Sequence, residues 1–266
     1  MLPSRFWYEM PTTHFAGDTS EWIAILPIAA VEQHGPHLPV GVDAIIAEEM
    51  VARCAKALPE SSPAVFLPVQ AIGKSNEHVN FPGTLTIGWQ SAIESWIEIG
   101  QSICRAGVRK FVIVNSHGGN SALMAVVARE LREKHHMLAI TTSWSSVGDW
   151  QTLYDYDPPI TDIHGGLSET SVMLALRPDL VDMTKAADFP SRQSDFKAIN
   201  KHLGLHSSNA NVAWLSEDLN TEGVVGDASA ASAELGARDV ESMLQGFCAL
   251  MEEIQNTDPP AQPSWP

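Results

Sequence analysis

Four consecutive apolar residues, Phe111-Val112-Ile113-Val114, lie between Lys110 and Asn115 and end directly in Ser116-His117-Gly118-Gly119-Asn120. A strand without polar alternation must be covered on both faces, as happens in a parallel sheet sandwiched between helices. The alternation recurs along the chain. Trp22–Ile28 reads as a strand and 43–57 as a helix, with Ile45, Ile46, Met50, Val51 and Ala55 at three- and four-residue spacing. Ala64–Val69 and Met137–Thr142 read as further strands. Helical patterns cover 89–106, 121–134, 168–176 and 227–254, the last with Asp227 in the N-cap position. Strands alternating with helices predict an α/β fold around a mainly parallel sheet. One domain over 1–256 suits a chain of 266 residues, followed by a proline-rich tail at 257–266.

In such sheets ligands bind beyond the carboxyl ends of the strands, and three clusters of chemistry-bearing residues fall in loops there. The first is Glu32-Gln33-His34-Gly35-Pro36-His37 with Asp43. Glu32 and His34 are two apart, so an extended segment points both to one side. Two carboxylates and an imidazole suit Zn²⁺ or Mn²⁺. The competing reading makes Asp43 a helix N-cap and the histidines solvated loop residues. The second cluster is Asn115–Asn120, where His117 precedes two glycines that open a helix. A phosphate loop competes here, but the segment is neither GxGxxG nor a Walker sequence. The third runs from Asp162 to Ser171. It holds His164 in a glycine-rich loop, which suggests an exposed, mobile general acid–base. It also holds Glu169, either a ligand or an ordinary first-turn acid. The polar, glycine-containing stretch 71–88 reads as a long functional loop. Trp144, Trp150 and Trp214 lie in loop-like stretches where they could line a pocket. No GxSxG supports a serine nucleophile.

Composition removes several classes. A formal net charge of −16 disfavours nucleic acid as a partner. No apolar run reaches the ~18 residues of a membrane span. The N-terminus lacks the basic start and apolar core of a leader. The three cysteines, Cys54, Cys104 and Cys248, form no CxxC pair, which points to a reducing compartment. A cytoplasmic protein acting on a small molecule is the expectation.

Together the motifs resemble the creatininase (creatinine amidohydrolase) family. The resemblance rests on Pro27-Ile28, Glu32 to His37 with Asp43, Lys74-Ser75, Phe81-Pro82-Gly83-Thr84, Asn115 to Asn120, His164-Gly165-Gly166 with Glu169-Thr170-Ser171, and Gly223 to Asp227. It covers residues 20–245 and implies a three-layer fold, a dinuclear metal site and commonly a hexamer. Glu32 and His117 would hold one ion and His34 the other, with Asp43 bridging and His164 as the catalytic histidine. Ser75, Gly118 and Gly119 would contact substrate. The chain departs from creatininase where Gly118 and Gly119 replace a Tyr and a ligating Glu, and where Ile160 replaces a substrate-contacting Trp. Glu169 is the candidate to replace the missing carboxylate and to share in catalysis. The expectation is a hydrolase with two divalent ions (Zn, Mn or both) that cleaves an amide or cyclic amide C–N bond in a small molecule other than creatinine. A lactone, an oxidised sugar or inositol derivative, or a short modified peptide are alternative substrates. A non-catalytic metal-binding protein is the alternative outside enzymes.

Overall fold

Four apolar runs become a four-stranded, wholly parallel sheet in a computed structural model that describes residues 2–154, 162–206 and 208–261. The strands are β1 (Ile23–Ile28), β2 (Ala64–Phe66), β3 (Lys110–Asn115) and β4 (Leu138–Ser143), in the order β2-β1-β3-β4. β1 and β3 are buried at every residue and pair in register from Ile23↔Lys110 to Ile28↔Asn115. Pro27 is tolerated in this central strand for a topological reason. Its carbonyl accepts from Gln70, on the β2 side, so its missing N–H lies past Phe66, where β2 has ended.

Alternate residues of the strands point to two separate cores. Ile23 and Ile25 join Val112 and Val114 beneath α1 (Val42–Ala57). Further helices cover the same face. In chain order the main helices after α1 are α2 (Trp89–Arg105), α3 (Ser121–His135), α4 (Leu167–Leu176) and α5 (Ala233–Gln255). α4 contributes Val172 and Met173 to the first core, and α5 contributes Val240, Met243 and Phe247. Ala24, Leu26, Phe111 and Ile113 pack instead with Trp96 and Ile103 of α2 and Val127 and Leu131 of α3. The result is three layers, helix–sheet–helix. α4 and α5 approach closely at Gly236, where a Cβ would overlap the Ser171 carbonyl.

Two expected caps are elsewhere. Asp43 is not the N-cap of α1, because the helix starts at Val42 after Gly41, and its carboxylate is buried. α5 starts at Ala233 with Ser232 as its cap, accepting from the Leu235 N–H at 3.2 Å. Asp227 caps a short 3₁₀ turn over Ala228–Ala230 instead. The polar stretch 183–222 contains only short elements, and the described residues 257–261 form no regular element. Among the described residues no helix is long and apolar enough to cross a membrane.

The chain passes from β1 to β2 on one side and then returns past β1 to β3 on the other. The carboxyl ends of β1 and β3 therefore flank the topological switch point, where an open α/β sheet leaves a crevice.

Candidate metal centre and active site

Both strands deliver acids and imidazoles into that crevice. After β3, two asparagines hold the turn. Asn115 Oδ1 accepts from the His117 N–H at 3.0 Å and from Asn120 Nδ2 at 3.1 Å. Asn120 donates to the Ala29 carbonyl after β1, and its Oδ1 accepts from the Lys74 N–H, both at 3.0 Å. The turn is thus tied to β1 and to the 71–88 loop. Ser116 adds a bond to the Asp43 carbonyl at 2.8 Å.

The five expected ligands come together. His34 Nε2, Asp43 and Glu169 form one group able to hold a cation, and His34 Nε2 is 3.7 Å from Glu169 Oε2. His117 Nδ1 lies 3.1 Å from Glu32 Oε1 and 3.7 Å from Asp43 Oδ2, so Asp43 faces both sides. His34 Nε2 and Asp43 Oδ2 are buried and have no hydrogen-bond partner. Orphaned buried atoms of this kind cost about 1–3 kcal/mol each. A cation between them would satisfy both. His34 already donates Nδ1–H to the Glu32 carbonyl at 3.0 Å, which leaves Nε2 with a free lone pair. The donor set therefore fits metal ions, with one group made by His34, Asp43 and Glu169 and another by Glu32, Glu77 and His117, beside which Asp43 Oδ2 stands 3.7 Å from His117 Nδ1.

The electrostatics agree with a site built for positive charge. Burial, then the Glu32 charge, pushes the Asp43 carboxyl well above its usual range. Burial, opposed by His164 but assisted by Asp162 and Glu32, raises Glu169 as well. Burial, with His164 adding to it, drives His34 far below the ordinary histidine value. Burial would also raise Glu32, but hydrogen bonding and charge from His117, then His164 and His34, hold it well below the carboxylate range.

Three expectations change. His164 is not a mobile exposed ring. Its backbone bridges to Val225, its ring packs 4.1 Å from His34 and 4.2 Å from His78, and Nε2–H donates to the Gln33 carbonyl at 2.6 Å. Nδ1 faces Glu32 Oε1 at 3.5 Å. Ser75, expected against substrate, is fully buried and donates to Glu32 Oε2 at 2.5 Å, because that carboxylate oxygen needs a partner. Glu169 does not occupy the space beside Gly119, since it stands across the centre with His34. Glu77 fills that space instead: a Cβ at Gly119 would overlap Glu77 Oε1.

Glu77 and His78 are the residues that sequence reasoning missed. Glu77 Oε1 is 3.2 Å from His117 Nε2, and its Oε2 is 3.3 Å from Lys74 Nζ. Burial would raise Glu77, but His117 outweighs it and brings the carboxyl to about 2. His78 accepts from Gln33 Nε2 at Nδ1 (2.8 Å), so its Nε2–H points toward Glu32 Oε1 at 3.5 Å. The signal was faint: an adjacent acid and histidine inside a loop already marked as functional.

The centre opens into a cavity of about 490 Å³ lined by Glu32, Asp43, Lys74, Glu77, His117 and Trp214 among others. Gly118 and Gly119 also line it. A second cavity of about 300 Å³ shares Gly118, Ile163 and Glu169 with the first and carries Trp144 in its wall. Of the other loop tryptophans, the side chain of Trp150 lies outside the described residues, as does Ile160.

The fold is that of the creatininase hydrolases, and the carboxylate–histidine groups at its switch point are able to hold metal ions. More specifically, the chain belongs to the creatinine amidohydrolase (creatininase) family, whose model matches residues 8–251. It is 32% identical over 200 residues to a creatinine amidohydrolase of Pseudomonas putida, covering 69% of this chain and 74% of that protein. It is 31% identical over 231 residues to a mycofactocin precursor peptide peptidase of Mycolicibacterium smegmatis, covering 85% and 83%. A solved manganese form of creatininase superposes with a TM-score of 0.76 at 25% identity, over 97% of this chain and all (100%) of that one. A 3-dehydro-scyllo-inosose hydrolase of Thermotoga maritima is 26% identical over 255 residues, covering 89% and 79%.

Proposed function

We propose that this protein is a dinuclear-metal hydrolase that cleaves an amide or cyclic amide C–N bond of a small molecule other than creatinine. The observation that carries the reading is the pair of orphaned buried donors, His34 Nε2 and Asp43 Oδ2, aimed between two carboxylate–histidine groups. Solved family structures described as manganese and Zn–Zn forms support Zn²⁺ or Mn²⁺ as the ions.

Bound divalent ions lower the pKa of water so that hydroxide is present near neutrality, and they polarise a carbonyl. The chain's own residues do the rest. Glu32 and His117, with Asp43 or Glu77 beside them, would hold one ion, and His34, Asp43 and Glu169 would hold the other. The Glu169 carboxylate, its Oε2 anchored by the Gly165 N–H at 2.6 Å, takes the proton of the attacking water. His164 has Nε2–H committed to the Gln33 carbonyl, so Nδ1 is the atom that would take up the water's proton from Glu169 and pass it to the leaving nitrogen. Gly118, where a side chain would meet only open space, leaves room for the substrate between the two cavities. That second cavity favours a substrate longer than creatinine, and a peptidase and an inosose hydrolase are among the relatives.

The test has two arms. Metal analysis of protein reconstituted with excess Zn²⁺ or Mn²⁺ should return about two ions per chain. A panel of small amides, cyclic amides, lactones and short peptides should then show metal-dependent turnover on an amide, with creatinine hydrolysed poorly. Less than one ion per chain would sink the dinuclear reading. Efficient creatinine turnover, in the usual range of ~1–1000 per second, would overturn the substrate reading.

A further inference from the structure

The residue that completes the His117 side of the centre stands outside the three motifs. His117 uses its two ring nitrogens differently. Nε2 is 3.0 Å from the Lys74 carbonyl oxygen and 3.2 Å from Glu77 Oε1. A carbonyl oxygen only accepts, so Nε2 carries the proton and is not free for an ion. Nδ1 faces Glu32 Oε1 and Asp43 Oδ2 at 3.1 and 3.7 Å, where two carboxylates converge. Glu77 therefore meets the histidine at Nε2, while Glu32 and Asp43 meet it at Nδ1, and ligand atoms of Glu77, Glu32 and His117 lie within 4.8 Å of one another. The second oxygen of Glu77 is held by Lys74 Nζ at 3.3 Å, which neutralises part of the charge in an otherwise acidic pocket.

Gly119 is what lets Glu77 stand there. A Cβ at 119 would overlap Glu77 Oε1 and His117 Nε2 and would come within 2.8 Å of the Lys74 carbonyl. Any side chain at 119 and the Glu77–His117 contact are mutually exclusive. Gly118, one residue earlier, shows no such restriction. The space a side chain at 119 would take is thus occupied by the Glu77 carboxylate, in contact with His117 Nε2.

We propose that Glu77 is a positioning residue that presents His117 Nδ1 to the ion held with Glu32 and Asp43, and that Gly119 is glycine to admit it. A carboxylate on the far nitrogen fixes the tautomer, orients the ring and raises its donor strength, and removing such a partner typically costs ~10–100-fold in metal affinity. The inference rests on the dinuclear reading above.

The first test uses the unaltered protein. With ¹⁵N-labelled histidine and ¹¹³Cd²⁺ as the probe ion, His117 should show one-bond coupling at Nδ1; coupling at Nε2 overturns the proposal. The second test titrates Zn²⁺ against a competing chelator. Glu77→Gln should still take two ions, one of them bound ~10–100-fold more weakly. Gly119→Ala should copy that defect, although it removes no polar atom. Outright loss of one ion in Glu77→Gln would make Glu77 a direct ligand and overturn the positioning role. Wild-type affinity in Glu77→Gln would remove any role, and wild-type affinity in Gly119→Ala would refute the steric half. Failure of the dinuclear reading looks different, because the unaltered protein would then take up no pair of ions.

Discussion

His34 and His117 face the centre from opposite sides, and each has one ring nitrogen tied down so that the other is free. They reach this state by different means. His34 donates to the carbonyl of Glu32, two residues earlier. His117 is held by the Lys74 carbonyl and Glu77, some forty residues away, on a loop that Asn120 pins to the turn. The first arrangement is local and survives as long as the Glu32–His34 segment stays extended. The second exists only when three separate segments have docked. Asp43 joins the two halves, and the contrast gives each residue of the centre a distinct way to fail.

The largest effect is expected at Asp43, because both halves use it. Asp43→Ala should lose both ions and with them all metal-dependent turnover, whereas a mere cap would cost only ~1 kcal/mol of stability. Metal analysis decides: a variant with two ions and a slightly lower melting point would separate the halves. His164→Ala comes next. Its Nε2 is spent on Gln33, and the proposed role lies with the substrate, so the variant should keep both ions while turnover falls ~100- to 10,000-fold. Loss of an ion there would move His164 into the metal shell. Glu169→Gln should touch only the His34 half. It should weaken one ion and slow turnover by at least ~100-fold, against less than about 1 kcal/mol of stability if Glu169 were only a first-turn acid. Two ions bound at full affinity in that variant would confine Glu169 to the helix start.

The same contrast explains what could be read from the chain. β1, β2 and β3 are legible because each holds an apolar run buried on both faces, as a parallel sheet requires, while β4 shows only the shorter run Leu138-Ala139-Ile140 before its polar end. Glu32, His34 and Asp43 are legible because they sit within one short segment after β1. Glu77 and His78 are not, since an acid and a histidine in a polar loop look like solvated residues until the Asn120–Lys74 bond brings the loop over His117. The N-cap errors have a related cause. Asp43 and Asp227 both stand just ahead of a helical pattern, but burial claims Asp43 for the centre, and a 3₁₀ turn intervenes between Asp227 and α5. The Ser75–Glu32 hydrogen bond is not legible, because the sequence marks a family-like position without saying which way the side chain turns.

Ser75 carries the smallest and most diagnostic prediction. Its hydroxyl is fully buried and donates to the Glu32 oxygen that faces away from His117. Ser75→Ala would leave a buried, charged oxygen without that donor, at a cost of about 1–3 kcal/mol. For a chain of this size that is a fall of roughly 2–12 °C in melting temperature. The loss should appear in metal-free protein, because the hydrogen bond does not depend on an ion. It should also loosen the ion on the His117 half slightly, since Glu32 would be free to turn, while the His34 half keeps its affinity. A substrate-contacting serine would behave in the opposite way, with KM raised, the metal-free melting point unchanged and both ions bound normally. Thermal melts of the chelated protein, set beside KM on whichever amide the panel identifies, separate the two. An unchanged melt with a raised KM would return Ser75 to the substrate and leave Glu32 held by its histidines alone.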